Sequence, residues 1–210
     1  MRKISIKKLE ETSVTSEDIF LLIKEVFSER EKEGIHVSYN DYTIEDIQSH
    51  IKDAIVIVAL DEDSSKLVGT GSVRLFKEKG RIKECGYGEL LAVSSSVQGL
   101  GIGSQIIKAE KIAAEELGLR CIKSDTSVKA TSSVMFHKKN GYIIDGFQSS
   151  GLTNTYSYTY RLPIKPSLKD NRVFCHIRFI LSYIIIKISK DAEGNYYPLG
   201  KLLRMLRVIS

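Results

Sequence analysis

The sequence predicts an α/β fold, and three observations support this prediction. Apolar segments typical of strands alternate with amphipathic segments typical of helices over about residues 1–163. A glycine-rich run, residues 98–103, connects one of these strands to the start of a helix. The chain has 210 residues, enough for one domain with a buried core and an appendage. We therefore expect one main domain followed by a tail.

The part of the chain before the glycine run is predicted to form two helices and four strands. Apolar residues recur at helical spacing between residues 20 and 27, after a helix start at residues 13–18. Thr43 and Asp46 have the spacing of an N-terminal capping box. The predicted order is a strand at 4–9, a helix to 27, a loop or frayed helix at 29–42, a helix at 43–51, a hairpin of strands at 54–60 and 67–76, and a strand at 82–93.

The part after the glycine run is predicted to contain two helices and three strands. A helix from Ser104 to Leu117 ends at Gly118, and a second helix, residues 132–139, ends at Asn140-Gly141. Strands are predicted at 120–125, 142–147 and 156–162. The complete order is thus β-α-α-β-β-β-α-β-α-β-β.

Glycines before a helix start are typical of a phosphate-binding site, because unpaired N–H groups and the helix dipole favour an anion there. Three patterns compete for this site. A P-loop requires Lys and then Ser or Thr after its last glycine, whereas Ser104-Gln105 follows here. A dinucleotide fingerprint requires a sixth-position glycine, which is Ser104 here, although Asp125 lies where a ribose-binding acid is expected. The remaining pattern is Gln-x-x-Gly-x-Gly.

That pattern resembles the acetyl-CoA pyrophosphate loop of the GCN5-related N-acetyltransferases, the GNAT superfamily. The resemblance implies a GNAT-like acyltransferase fold with a mixed sheet over residues 1–163 and leaves residues 164–210 as a basic amphipathic, helical or mixed extension. It also implies that the loop amides bind the pyrophosphate of CoA and that the preceding strand pairs with the pantetheine arm. The implied cofactor-binding residues are Leu91, Ala92, Val93, Gln98, Gly99, Leu100, Gly101, Ile102, Gly103 and Ser104.

A second family motif is similar to the segment Phe136-His137-Lys138-Lys139-Asn140-Gly141-Tyr142. His137 occupies the position where many members carry the tyrosine that protonates the CoA thiolate, so the resemblance implies an acid role for His137. The alternative is an exposed helix histidine, with Tyr142 or Tyr39 as the donor. Ala130 and Ser133 depart from the family's usual Asn and Ala.

Glu89 is the candidate general base, because an amine must lose a proton when it is acetylated. It precedes the glycine run on the same strand, and simple alternation places it on the face of Leu91 and Val93. The family often carries an acid there; a solvated or paired strand residue is the alternative. The family forms its acceptor wall in the region of residues 29–42, where four side chains are candidates for contacting an acceptor: Glu31, His36, Tyr39 and Tyr42.

The charge lies mostly in the tail. Residues 165–210 contain nine Lys or Arg and three Asp or Glu, whereas the rest of the chain contains 22 basic and 23 acidic residues. The net charge of +5 is therefore no sign of a nucleic-acid groove in the main domain. Three scattered cysteines predict neither a disulfide framework nor a metal site, and the N-terminus lacks a signal-peptide pattern. These features predict a cytoplasmic protein without a metal.

The tail contains two apolar segments. Residues 173–190 fit a helix and a strand equally well, and Arg178 and Lys187 interrupt the apolar run. Residues 198–209 predict an amphipathic basic helix. We expect these faces to pack on the main domain or to form a homodimer contact; a peripheral membrane contact is the alternative.

Together these features predict an acetyl-CoA-dependent N-acetyltransferase that acts on an amine of a small molecule or protein by direct attack in a ternary complex. A non-catalytic acyl-CoA-binding module is the alternative, suggested by the departures at His137 and Ala130. A dinucleotide enzyme is a third hypothesis.

Overall fold

The computed structural model describes residues 3–32, 38–78, 81–150, 155–191 and 194–205. The chain forms two compact units, Met1–Lys123 and Ser124–Ser210. The first unit contains the glycine run, and the second contains the predicted second motif and the tail.

The elements of the first unit follow the predicted order, with two short extra strands between the third and the fourth predicted strands. In chain order they are β1 (Ile4–Lys8), α1 (Ser16–Lys32), α2 (Ile44–Lys52), β2 (Ala54–Asp61), β3 (Leu67–Arg74), β4 (Lys77–Glu78), β5 (Arg81–Ile82), β6 (Cys85–Val93), α3 (Ile102–Glu116) and the start of β7 (Cys121–Ser127). The predicted capping box forms at the start of α2, where Thr43 accepts a hydrogen bond from the Asp46 amide.

The main sheet of the first unit has the order β1-β2-β3-β6-β7. The first three pairings are antiparallel, and β6 pairs with β7 in parallel. Side chains of α1 and α2, such as Ile23 and Ile47, pack on one face of the sheet. Side chains of α3, such as Ile102 and Ile106, pack on the other face. Both faces of β6 are thus covered, and its last residue leads towards the glycine run.

The second unit combines a hairpin with helices. Its elements are the end of β7, α4 (Thr131–Lys139), β8 (Ile143–Ser150), β9 (Thr155–Pro163), α5 (Arg172–Ser189) and α6 (Pro198–Met205). β9 lies between β7 and β8 in the strand order, β8 and β9 are antiparallel, and α5 packs on β8. The tail is therefore part of this compact unit.

The mixed α/β architecture confirms the predicted fold class. Residues 173–190, which fitted either a helix or a strand, form most of α5. The predicted last helix is present as α6 over residues 198–205, and the rest of it lies outside the described residues. No helix among the described residues is long and apolar enough to cross a membrane.

Two of the three cysteines are paired, which the sequence did not predict. Cys85 and Cys121 begin neighbouring parallel strands and form a disulfide. Cys175 is a free, buried thiol on α5. The cysteine count alone could not reveal this pair, because the two residues are 36 positions apart in the chain and only the β6–β7 pairing brings them together.

Candidate active site

The glycine run forms the turn that starts α3. Gly99 and Gly101 have φ angles of +83° and +77°, a left-handed conformation that glycine adopts without steric cost. Gln105 makes the first helical hydrogen bond of α3, to the Gly101 carbonyl. The N–H groups of residues 102–104 precede it and have no carbonyl partner within the helix. No acidic residue stands in the first turn. The turn therefore suits an anion.

The side chain of Gln98 fastens the glycine run to the end of β6. Its Nε2 donates a hydrogen bond to the Val93 carbonyl at 3.2 Å. Gln98 and Leu100 are exposed, whereas Ile102 is buried against the sheet. The predicted loop residues thus surround one helix start, with their backbone accessible and one apolar anchor in the core.

A β-bulge in β6 changes which face Glu89 occupies. Across the β3–β6 pairing, Thr70 pairs with Ala92 and Ser72 pairs with Glu89, so one residue of β3 faces two residues of β6, Leu90 and Leu91. Leu90 has a φ of +51° and packs with the core below α1 and α2. The predicted alternation of Glu89 with Leu91 and Val93 is therefore wrong.

Glu89 lies instead on the sheet face covered by α1 and α2. Leu91 and Val93 pack on the α3 side. The Glu89 carboxylate contacts an imidazole and a guanidinium across this face: Oε2 is 2.9 Å from His50 Nδ1, and Oε1 is 2.6 Å from an Arg74 guanidinium nitrogen. The Glu89 and His50 side chains are only 8% and 14% exposed. This polar cluster is set into an otherwise apolar face, which is unusual unless its members are paired.

The geometry of the cluster fixes the hydrogen of His50. A carboxylate paired with a guanidinium only accepts hydrogen bonds, so His50 Nδ1 donates its hydrogen to Glu89. Two tyrosines extend the cluster. Tyr42 stacks on the His50 ring, and Tyr39 packs edge-on against Tyr42 and receives a 3.5 Å hydrogen bond from the Leu90 amide. Burial, and then the Glu89 charge, raise the pKa of Tyr42.

The predicted acceptor-wall residues are thus only partly assembled. Tyr39 and Tyr42 join the Glu89 cluster. Glu31 is exposed on α1, and His36 lies outside the described residues. Sequence reasoning missed His50 and Arg74. The Thr43 capping signal placed His50 in the last turn of α2, but nothing local shows that this turn and the end of β3 meet at Glu89.

His137 is a buried residue, so the predicted alternative of an exposed helix histidine is wrong. It lies on α4 in the second unit, 6% exposed, and its ring stacks on Tyr160. Nδ1 is 2.8 Å from the Ser133 carbonyl, and Nε2 is 3.3 Å from Ser124 Oγ. Both ring nitrogens are therefore engaged, and the imidazole packs as a buried structural group. Tyr142, the other predicted donor on this motif, is also buried and packs edge-on to His137.

Comparison with known proteins agrees with the loop and the fold. The profile of the Acetyltransferase (GNAT) family matches residues 19–142, more than half of the chain. The chain belongs to the GNAT family. The match includes α1, α2, the strand that carries Glu89, the glycine run and α4. The family resemblance and the prediction of an N-acetyltransferase are confirmed, and the use of acetyl-CoA follows from the family. No match was found among curated protein sequences.

Solved structures show the same fold. An aminoglycoside 6'-acetyltransferase type Ii superposes with a TM-score of 0.61 at 18% identity, over 78% of this chain and 99% of that one. An N-acetyltransferase from Staphylococcus aureus Mu50 gives 0.61 at 17%, over 78% and 99%. A GNAT acetyltransferase from Elizabethkingia anophelis with acetyl-CoA bound gives 0.56 at 15%, over 76% and 97%. At these identities the similarity shows the fold alone.

Within the described part of the chain, no group of three or more His, Cys, Asp or Glu side chains is arranged to hold a metal ion.

Proposed function

We propose that this N-acetyltransferase transfers the acetyl group of acetyl-CoA to an amine of a small molecule or protein, by direct attack in a ternary complex. The observation that carries the proposal is the Glu89–His50 pair, a buried carboxylate–imidazole contact on the strand that runs into the glycine run. The pair supplies a proton acceptor at β6, the strand along which the family binds the pantetheine arm of acetyl-CoA.

The glycine run and the end of β6 have backbone groups that suit the binding of acetyl-CoA. The diphosphate of CoA is an anion, and the start of α3 offers backbone N–H groups without an acid nearby. We assign pyrophosphate binding to the amides of residues 98–104 and pantetheine binding to the backbone of Leu91, Ala92 and Val93. The cosubstrate supplies an activated acetyl thioester. An amide of this strand is the donor we assign to the thioester oxygen.

Gly101→Ala is expected to weaken CoA binding about tenfold or more, because a side chain disfavours φ > 0 and a shifted turn loses hydrogen bonds to a charged group. The matched control is Gly118→Ala. Gly118 has a φ of +76° at the other end of α3, and a Cβ would meet no atom within 4 Å at either position. Both variants should lose similar thermal stability. Only Gly101→Ala should change the dissociation constant measured by calorimetry, and equal effects would contradict the loop assignment.

The part of the active site that binds the amine has to remove one proton from it. We assign this proton to the Glu89–His50 pair, with Arg74 and the Tyr42 ring as the contacts that hold the pair in place. The amine nitrogen bonds to the acetyl carbon, the carbon–sulfur bond breaks, and the pair keeps the proton while the thiolate leaves.

An acceptor screen tests the function. Thiol release from acetyl-CoA is measured with a panel of small amines and peptide N-termini, and the product is treated with hydroxylamine, which cleaves esters and leaves amides. We expect amine-dependent turnover and a hydroxylamine-stable product. A hydroxylamine-labile product would assign the reaction to a hydroxyl acceptor. Tight CoA binding without turnover on any amine would favour the acyl-CoA-binding module instead.

A further inference from the structure

Helix α5 of the second unit is covered on one side and open to solvent on the other. Cys175 and Ser189 are buried, Ser182 Oγ accepts a 2.8 Å hydrogen bond from the Phe147 amide, and Arg178 pairs with Asp145. This side docks the helix on β8. It satisfies the structural role of the helix, so the opposite side is not needed for the hairpin core.

The opposite side is a continuous apolar stripe that is open to solvent. Each of its six members lies three or four residues from another member, so they form one ridge along almost the whole helix. Each is between 42% and 65% exposed: Val173, Ile177, Ile180, Leu181, Ile184 and Ile188. A stripe of this length on a soluble surface usually marks an interaction site.

The charges around the stripe are all of one sign. α5 contains no acidic residue; Arg172 and Lys187 border the stripe, where Lys187 also stacks on the Tyr156 ring, and Arg178 lies on the docked side, where it pairs with Asp145. By helical periodicity, Arg172 and Lys187 lie on the same edge of the stripe, together with Tyr183. A ridge of aliphatic residues edged by basic and tyrosine side chains is typical of helices that lie in a membrane interface.

Helix α6 adds further basic side chains next to α5. α6 packs on α5, and its exposed Lys201 and Arg204 line an open cleft beside Tyr196. Arg204 and Lys190 both stack on that tyrosine, at 5.3 and 4.4 Å from the ring centre. α6 carries no acid in its first turn and has a basic residue in its last.

We propose that the α5 stripe and its basic edge are a docking surface for an anionic membrane, with α5 lying parallel to the lipid surface. The apolar side chains would enter the headgroup region, and the Lys and Arg side chains would contact anionic headgroups. A second copy of the chain suits the stripe less well, because two stripes would bring the Arg172 and Lys187 side chains of both copies to one interface, and neither α5 helix contains an acidic residue to pair them. This inference is independent of the proposed acceptor chemistry.

Vesicle co-sedimentation of the full chain tests the proposal. We expect binding to vesicles of phosphatidylcholine with phosphatidylglycerol, weak binding to phosphatidylcholine alone, and loss of binding at high salt. Ile184→Glu should lower the partition coefficient by about tenfold or more. Removing charges with the double variant Arg172→Gln/Lys201→Gln should lower it roughly fivefold per residue.

The matched control is Ile112→Glu. Ile112 is 51% exposed on α3, against 49% for Ile184, so the same substitution introduces the same charge on another helix. This variant should bind vesicles like the unmodified chain, and circular dichroism melts should show all variants folded. Binding that is absent, equal on neutral vesicles, or equally lost in Ile112→Glu would overturn the proposal. So would a dimer by light scattering that Ile184→Glu converts to monomer.

Discussion

Glu89→Gln is expected to lower kcat by about 10²- to 10⁴-fold, the usual contribution of a positioned general base. Glutamine has the shape of glutamate, but its single amide oxygen can accept from only one of His50 and Arg74, and it neither accepts the proton nor holds the imidazole by charge. The dissociation constant for CoA should stay within about twofold, because Glu89 faces α1 and α2 whereas Leu91 and Val93 face α3. Steady-state kinetics with the best amine of the acceptor screen, together with calorimetry for CoA, measures both quantities.

The control for this substitution is Asp61→Asn. Asp61 is another buried carboxylate of the first unit, at the end of β2, where it accepts hydrogen bonds from the Asp63 and Ser64 amides. Its change to the amide should cost stability in the turn and leave kcat within about twofold. A loss of kcat in both variants would show a general packing effect and contradict the base role.

The pH profile separates a missing base from a damaged site. Without the base, attack depends on the fraction of acceptor that is already a neutral amine, so the rate of Glu89→Gln should rise with pH towards the pKa of the acceptor. A site that is merely distorted gains nothing from high pH. His50→Asn should behave like Glu89→Gln if the proton leaves through the imidazole, because asparagine can still donate to Glu89 but cannot take a proton. Normal kcat in His50→Asn would assign the proton to Glu89 alone.

The sequence predicted those features of the site that depend on neighbours in the chain. The glycine run and the capping residues of α2 are local signals, because a positive φ and an unpaired N–H group have the same requirements in any fold. The face of Glu89 was predicted wrongly for the opposite reason. Leucine gives no signal for a positive φ, so the bulge at Leu90 depends on the pairing of β6 with β3. The one extra residue of β6 at this bulge places Glu89 on the face of the sheet opposite to the predicted one.

Residues 173–190 show a second limit of sequence patterns. A helix with one apolar side gives a clear 3.6-residue period, but α5 places Phe179 and Tyr183 against Phe147 of β8 in addition to its open apolar stripe, so its pattern also fitted a strand. His137 shows a third limit of sequence patterns. The local motif gives no sign that His137 is buried, because Ser124 and Tyr160, which contact its ring, are distant in the chain.

Glu110 is expected to make the stability of this protein fall as the pH rises from about 5 to 8. It lies on the inner side of α3, 2% exposed, and no described residue hydrogen-bonds its Oε1. Gly71 of β3 makes room for the carboxyl, since a Cβ there would stand 2.5 Å from Oε1. Burial raises the pKa of Glu110 from 4.5 to about 8. The acid is therefore held neutral near pH 7.

The direction of this pH dependence follows from the protonation of Glu110 in the folded and unfolded states. Between pH 4.5 and about 8 the unfolded chain releases the Glu110 proton and the folded chain keeps it. The folded state binds more protons, so the free energy of unfolding falls with pH in this window and levels off above it. A shift of this size corresponds to a total change on the order of 4 to 5 kcal/mol, a large part of the usual stability of a domain.

Glu110→Gln should remove this slope, and Glu110→Met should in addition raise the free energy of unfolding at pH 8 by several kcal/mol, because no charge has to be formed or kept out of the core. Urea denaturation at pH 5, 6, 7 and 8 measures the slope. Glu115→Gln is the matched control, since Glu115 is exposed on the same helix and should leave the slope unchanged. A slope that persists in Glu110→Gln would mean that Glu110 ionises without cost. Its disappearance would show that α3, whose first turn is the proposed CoA site, carries a buried acid that the folded state keeps neutral, so that the folded state loses stability as the pH rises towards the pKa of that acid.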